Sequence, residues 1–169
     1  MRKMSATGPD TTKIIVDSMH GRLARYLRIM GIDTLYAKQL SDTEIEALVL
    51  NENRVLVTGD KNLFTRVVRM GGKAVYIHPS LTLPRAIALL SMILDVPINI
   101  DLLKTRCPLC NTLLKQTSKP TIYYSVARNT YFVCPQCGNT YWVGKHWYII
   151  NKVMEEARIW RKMLLSPRS

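Results

Sequence analysis

The sequence predicts an α/β fold, a mostly parallel sheet layered with helices, followed by a small cysteine ribbon and a terminal helix. Three observations lead there. Short apolar runs recur at 13–16, 33–37, 54–58 and 74–77, and helical patterns alternate with them, as in βαβ units. All four cysteines fall beyond residue 106, in two matched C-x-x-C pairs. From about His146 the apolar pattern becomes helical again.

The first strand, 13–16, is β-branched and apolar, as expected of a strand buried on both faces, and it ends on a single acid, Asp17. A helix opens within four residues, with Leu23, Tyr26, Leu27 and Met30 spaced along one buried face. Arg22, Arg25 and Arg28 recur at three-residue steps and are expected off that face. The second strand is 33–37. Ser41 and Glu44 carry the pattern of a capping box, opening a helix that buries Ile45, Leu48 and Val49. The third strand, 54–58, exits through Gly59 and Asp60. A helix from about Lys61 points Leu63, Phe64, Val67, Val68 and Met70 inward and stops at Gly71 and Gly72. The fourth strand is 74–77, and 83–94 reads as a helix with Pro84 in its first turn. Right-handed crossovers put the carboxyl ends of all these strands on one edge.

Beyond 96–106 the character changes. Segments 121–124, 130–133 and 140–143 read as short strands. The last helix carries an apolar stripe of Trp147, Ile150, Met154, Ala157, Trp160 and Leu164, suited to clamping the ribbon onto the first domain or to meeting a partner. The expected divisions are a flexible tail at 1–12, the α/β domain at 13–103, the ribbon at 104–146 and the helix at 147–169.

Lysine and arginine total 24 against 12 acids, a net charge of +12, which favours polyanionic partners: nucleic acid, the ribosome or an anionic surface. No secretory signal pattern opens the chain, and the longest apolar stretch, 86–94, is too short to span a bilayer. A cytoplasmic protein with no membrane partner and no nucleotide cofactor is expected.

The knuckles Cys107-Pro-Leu-Cys110 and Cys134-Pro-Gln-Cys137 offer four thiolates, which suit one tetrahedral zinc per chain in a closed, structural site. Two disulfides or a redox pair are the alternatives, each less consistent with a matched set of knuckles and no sign of an oxidising compartment. The nearby aromatics, Tyr123, Tyr124, Tyr131, Phe132, Tyr141, Trp142 and Trp147, suit either the core of a small ribbon or stacking on unpaired bases.

Acids gather at the predicted carboxyl edge: Asp17 after the first strand, Asp42 and Glu44 at the start of the second helix, Asp60 after the third strand. Each has a local alternative as a turn or helix-cap residue. Together they form a candidate catalytic set for Mg²⁺ or Mn²⁺, hard ions that prefer oxygen ligands and relieve the repulsion between neighbouring carboxylates. Such an ion activates water against a phosphodiester.

The strings IIVDSMHGRLARYLRIMGIDTLYA, SDTEI and RVLVTGDKNL, with TRCPLC and FVCPQCGNTYWVGKHW after them, resemble the Mut-seven C-terminal RNase family over about 13–150. The resemblance implies a PIN-like three-layer sandwich with a mostly parallel sheet, an attached zinc ribbon, a divalent-metal site and RNA as substrate. By position it implies Asp17 and Asp60 as metal-holding acids, Asp42 and Glu44 as further catalytic acids, and Arg22 as a phosphate contact. Arg25, Arg28 and Lys61 complete the candidate nucleic-acid-binding set. This chain departs from the pattern at Gly59, where the family usually has arginine, and at Asn62, where many such nucleases have another acid; Asp101 is a candidate replacement carboxylate. The expected function is a metal-dependent ribonuclease. The alternative is a catalytically weak RNA- or ribosome-binding protein that keeps the fold.

Overall fold

The computed structural model describes residues 12–118 and 130–166. The expected tail, apart from Thr12, and the expected strand at 121–124, with Tyr123 and Tyr124, lie outside the described residues.

Four parallel strands form the main sheet: β1 (Lys13–Asp17), β2 (Asp33–Ala37), β3 (Val55–Thr58) and β4 (Lys73–Tyr76), in the order β2-β1-β3-β4. Between them run α1 (Gly21–Ile29), α2 (Asp42–Glu52) and α3 (Lys61–Arg69), with α4 (Leu83–Leu94) after β4. The period-2 alternation of side chains divides the strands between two cores. Ile14, Val16, Val55 and Val57 face α1 and α4, whereas Ile15 and Leu56 face α2 and α3. Helices on both faces of a parallel sheet make the expected three-layer sandwich.

The strand order has a mechanical consequence. From β1 the chain steps one way to β2, then crosses back over β1 to reach β3. The two crossovers lie on opposite faces, so a crevice opens between the carboxyl ends of β1 and β3. Open α/β sheets bind ligands at such a switch point.

A three-stranded antiparallel sheet forms the ribbon: β5 (Lys115–Thr117), β6 (Tyr131–Val133) and β7 (Thr140–Tyr141). The last helix, α5 (Lys145–Leu165), buries Met154 and Ala157 in the core that holds α1 and α4. It thus packs on the α/β body itself. Trp147, Ile150 and Trp160 of its expected stripe are half-buried, and Leu164 is exposed.

Two expectations need correction. Val68 and Met70 are exposed, because α3 covers the sheet with a single row, Leu63 and Val67. Arg28 is not off the buried face but 6 % exposed, turned inward with α1's last apolar turn. Among the described residues, no helix is long and apolar enough to cross a membrane.

Candidate active site and metal centre

Asp17 is the last residue of β1 and the cap of the short 3-10 turn Ser18–His20. It is 5 % exposed, and its two oxygens accept three hydrogen bonds. Oδ1 takes the Met19 amide at 3.0 Å; Oδ2 takes the Thr58 hydroxyl at 2.5 Å and the Gly59 amide at 2.9 Å. A carboxylate has about four acceptor positions, so about one is left for another ligand. Two of the three donors come from the exit of β3. The first acid is therefore tied directly across the switch point.

The Thr58 hydroxyl also accepts the Asp60 amide at 2.9 Å, and so links the two candidate acids. Asp60 caps α3: its Oδ1 takes the Asn62 and Leu63 amides at 2.6 and 3.1 Å, leaving Oδ2 out of the cap. Gly59, between them, runs beneath the first turn. A Cβ there would sit 3.1 Å from His20 Nε2 and Pro79 Cγ and 3.3 Å from Met19 Sδ. The small residue at this point lets His20, whose Nε2 is 3.1 Å from the Ile77 carbonyl, close over the turn. His20 carried no pattern in the sequence that would have singled it out.

The other two acids are engaged elsewhere. Asp42 is exposed and its Oδ2 lies 2.5 Å from Arg66 Nη2, which shares its guanidinium with Glu46. Glu44 accepts from the Ser41 amide and hydroxyl at 2.8 Å each, completing the predicted capping box, and these bonds hold its carboxyl below the usual range. Asp101 lies at the opposite end of the body, where its Oδ1 takes the Leu103 amide and its carbonyl takes the Thr105 hydroxyl, which also reaches Ile29 at the end of α1. It is no fourth member of the acidic edge.

The exposed cations Arg22, Arg25 and Lys61 flank this edge on α1 and α3. Arg28 does not. Its Nε donates to the Thr34 carbonyl at 2.8 Å and its Nη1 to the Pro108 and Leu109 carbonyls at 2.9 and 3.0 Å. That places its donors inside the protein rather than before a nucleic acid.

The cysteines form the only group of three or more metal-binding side chains, among the described residues, whose ligand atoms all lie within 4.8 Å of one another. No disulfide joins them. Cys107 and Cys137 sulfurs are 3.6 Å apart, and Cys110 and Cys134 sulfurs 3.3 Å. Four thiolates around zinc, with Zn–S near 2.3 Å, would stand roughly 3.8 Å apart. The donor set and its spacing fit zinc.

The two knuckles repeat one geometry. Cys107 N bonds the Thr112 carbonyl and Cys134 N the Asn139 carbonyl; Asn111 N bonds back to Cys107 and Gly138 N to Cys134. Asn111 and Gly138, each following the second cysteine, both take the left-handed conformation that closes the knuckle. Burial raises the Cys110 thiol, but hydrogen bonding with Thr112 outweighs it and brings the pKa down to about 6; burial pushes Cys134 up to about 12.

The first knuckle is fastened to the body at the amino edge of the sheet. Asn111 bonds both the Thr34 amide and the Asp33 carboxylate, Arg106 bonds Gly31 and its amide bonds Arg28, and Arg28 bonds the knuckle carbonyls. The five residues of β2, at 3.3 Å each, put this anchor roughly 16 Å from the acidic edge. Sequence reasoning located the cysteines, but the anchoring partners lie some seventy to eighty residues away in the chain and leave no local trace.

No curated protein and no solved structure matches the chain. The sequence model of the Mut7-C RNAse domain matches residues 12–154, which include β1 to β4, both cysteine knuckles and the first half of α5. The chain belongs to the Mut7-C RNAse domain family.

Proposed function

We propose that the protein is a divalent-metal-dependent ribonuclease that hydrolyses RNA phosphodiesters at the carboxyl edge of the parallel sheet. The observation that carries this reading is the junction of Asp17 and Asp60 through Thr58 at the switch point. Mg²⁺ is commonly held by one or two carboxylates together with substrate phosphates, so this pair fits such an ion in donor type and number. The bound ion would supply water activation and charge neutralisation at the phosphorus centre.

The chain's own residues prepare that chemistry. Thr58, Gly59 and Met19 fix the orientation of the Asp17 carboxylate. Arg22, Arg25 and Lys61 hold RNA phosphates. Asp42 and Glu44 join the site only by leaving Arg66 and Ser41. The four cysteines hold one structural zinc, and the ribbon they stabilise widens the RNA-binding surface. The cell compartment is the cytoplasm, with ribosomal RNA or the ribosome among the partners.

A second reading, an RNA-binding protein with little turnover, draws on the engagement of Asp42 and Glu44 in structural bonds. Cleavage of defined RNAs with added Mg²⁺ or Mn²⁺ separates the two. The wild type is expected to cleave, and Asp17→Asn and Asp60→Asn to lose at least tenfold in rate, roughly the cost of one lost charge-stabilising contact. Equal cleavage by all three, or by none, sinks the enzyme reading.

A further inference from the structure

A pocket of about 280 Å³ lies between the ribbon and the first turn of α5, remote from the acidic edge. Tyr141, Trp142 and Trp147 supply aromatic walls, and Ile29, at the end of α1, lines the inner side. The Tyr141 ring is fixed by its hydroxyl, 3.2 Å from Cys107 Sγ. Two further observations say what such a pocket would take.

The walls are chiefly apolar and aromatic; Thr140 lines the pocket, but its Oγ1 is sealed from solvent and does not border the open space. Gly144, Lys145 and Trp147 line the same pocket at the start of α5, a 21-residue helix with no side-chain cap and no acid in its first turn. Such a helix start, beside a lysine, attracts an anion. Aromatic faces and an anion position occur together in a nucleotide, and the net charge of +12 favours a polyanion.

We propose that this cleft is a subsite for one unpaired nucleotide of RNA, its base among Tyr141, Trp142 and Trp147 and its phosphate at the start of α5 beside Lys145. The proposal rests on the reading of RNA as the substrate. A path to the acidic edge exists along α1, whose nine residues span roughly 13 Å. Arg22, Arg25 and Ile29, at i, i+3 and i+7, share one side of that helix. The arginines thus lie between Asp17 and the pocket, and a strand held at both ends would cross them. The subsite makes the enzyme a reader of single-stranded length, with short fragments that reach only one end held weakly.

The test is a titration of zinc-loaded, full-length protein with short single-stranded oligouridylate, without added Mg²⁺ or Mn²⁺, read by quenching of tryptophan fluorescence and by anisotropy of labelled RNA. Trp142→Ala is expected to weaken binding about fivefold to a hundredfold, the range for loss of one stacked base. Thr140→Val is the control: its hydroxyl lies outside the open space, so binding is expected to match the wild type while the melting temperature stays unchanged or rises. Lys145→Glu is expected to weaken it and lower the salt slope by about 0.7, one single-strand phosphate. The proposal is overturned if Trp142→Ala and Lys145→Glu both bind as the wild type does, or if a duplex of the same length binds equally well. It is equally overturned if the pocket is filled by a second copy of the chain, seen as concentration-dependent dimerisation with quenching in the absence of RNA. Because binding is read without the cleavage metal, the outcomes separate. Loss of catalysis with this binding pattern intact removes only the enzyme reading, and normal cleavage with unaltered binding by the variants removes only the subsite.

Discussion

Arg28 Nη1 donates to the Pro108 carbonyl at 2.9 Å, so a side chain of the first helix holds the peptide between the two cysteines of the first knuckle. The same nitrogen reaches Leu109, and Nε holds Thr34 at the start of β2. One buried guanidinium thereby joins helix, sheet and ribbon.

Arg28→Met should therefore leave three carbonyls without these donors while keeping much of the packed volume. The buried Thr34 carbonyl costs about 1–3 kcal/mol when unpaired, and the part-buried Pro108 and Leu109 carbonyls can turn to water, which puts the total on the order of 2 kcal/mol. Thermal melting would show it, and a chelator competition should show faster zinc loss. Arg25→Met, at an exposed position one turn earlier, should melt within about 0.5 kcal/mol of the wild type.

Metal analysis of purified protein should find about one zinc per chain, as four convergent thiolates require. Stripping it should unfold the ribbon, whose own apolar cluster is small: Cys107, Leu114, Phe132 and Cys134, with Leu102, Cys110 and Tyr141 against it. Loss of the β5-β6-β7 amide protection in hydrogen exchange, with β1 and β3 still protected, is the expected signature. Unchanged ribbon protection after complete zinc removal would refute it.

The two acids should respond differently to amide substitution. Asparagine is as good a helix cap as aspartate, so Asp60→Asn should keep α3 and its melting temperature. Asp17→Asn turns one oxygen into a donor facing the Met19 amide or the Thr58 and Gly59 donors, costing about 1–3 kcal/mol. Calorimetry of both variants checks the split, and makes Asp60→Asn the cleaner probe of catalysis.

The Asp33–Arg54 pair predicts an acid-side dependence. Burial raises the Asp33 carboxyl, but hydrogen bonds from Arg54 and Asn111 outweigh it and hold its pKa below 3.8. A depressed folded pKa stabilises at pH values above the unfolded value, and that contribution fades as pH falls through the folded one. The melting difference between wild type and Asp33→Asn should be constant above about pH 5 and shrink below about pH 4. Taking the difference cancels acid effects common to both chains. A difference that grows on acidification would contradict the pairing.

Much of this was legible in residues whose partners are close in sequence. The capping box of Ser41 and Glu44, the cap at Asp60, Pro84 in the first turn of α4 and the paired knuckles all declare themselves within a few positions. Strand-exit acids were legible too, because a buried strand ending on a lone carboxylate is a local pattern. What escaped were pairings set by tertiary approach. Arg28 looked like its neighbours Arg22 and Arg25, and only Pro108, eighty residues on, distinguishes it. The ion pair of Asp42 with Arg66, twenty-four residues away, left no trace either. β5, reading Lys-Gln-Thr, has no apolar period to reveal it and is recruited by pairing with β6. Val68 and Met70 misled because an apolar residue on a helix does not have to face the core.

The burial of Met154 and Ala157 against the first core has a consequence for synthesis on the ribosome. The strands and α1 to α4 emerge well before α5, and for that interval the apolar face that will receive α5 stands open to water. Closure of this core waits for α5, and the cysteine knuckles come out in the meantime. A chain stalled or cleaved before residue 154 therefore carries a sticky face that quality-control proteases and chaperones would recognise. Sealing by α5 couples completion of the first core to translation past the ribbon.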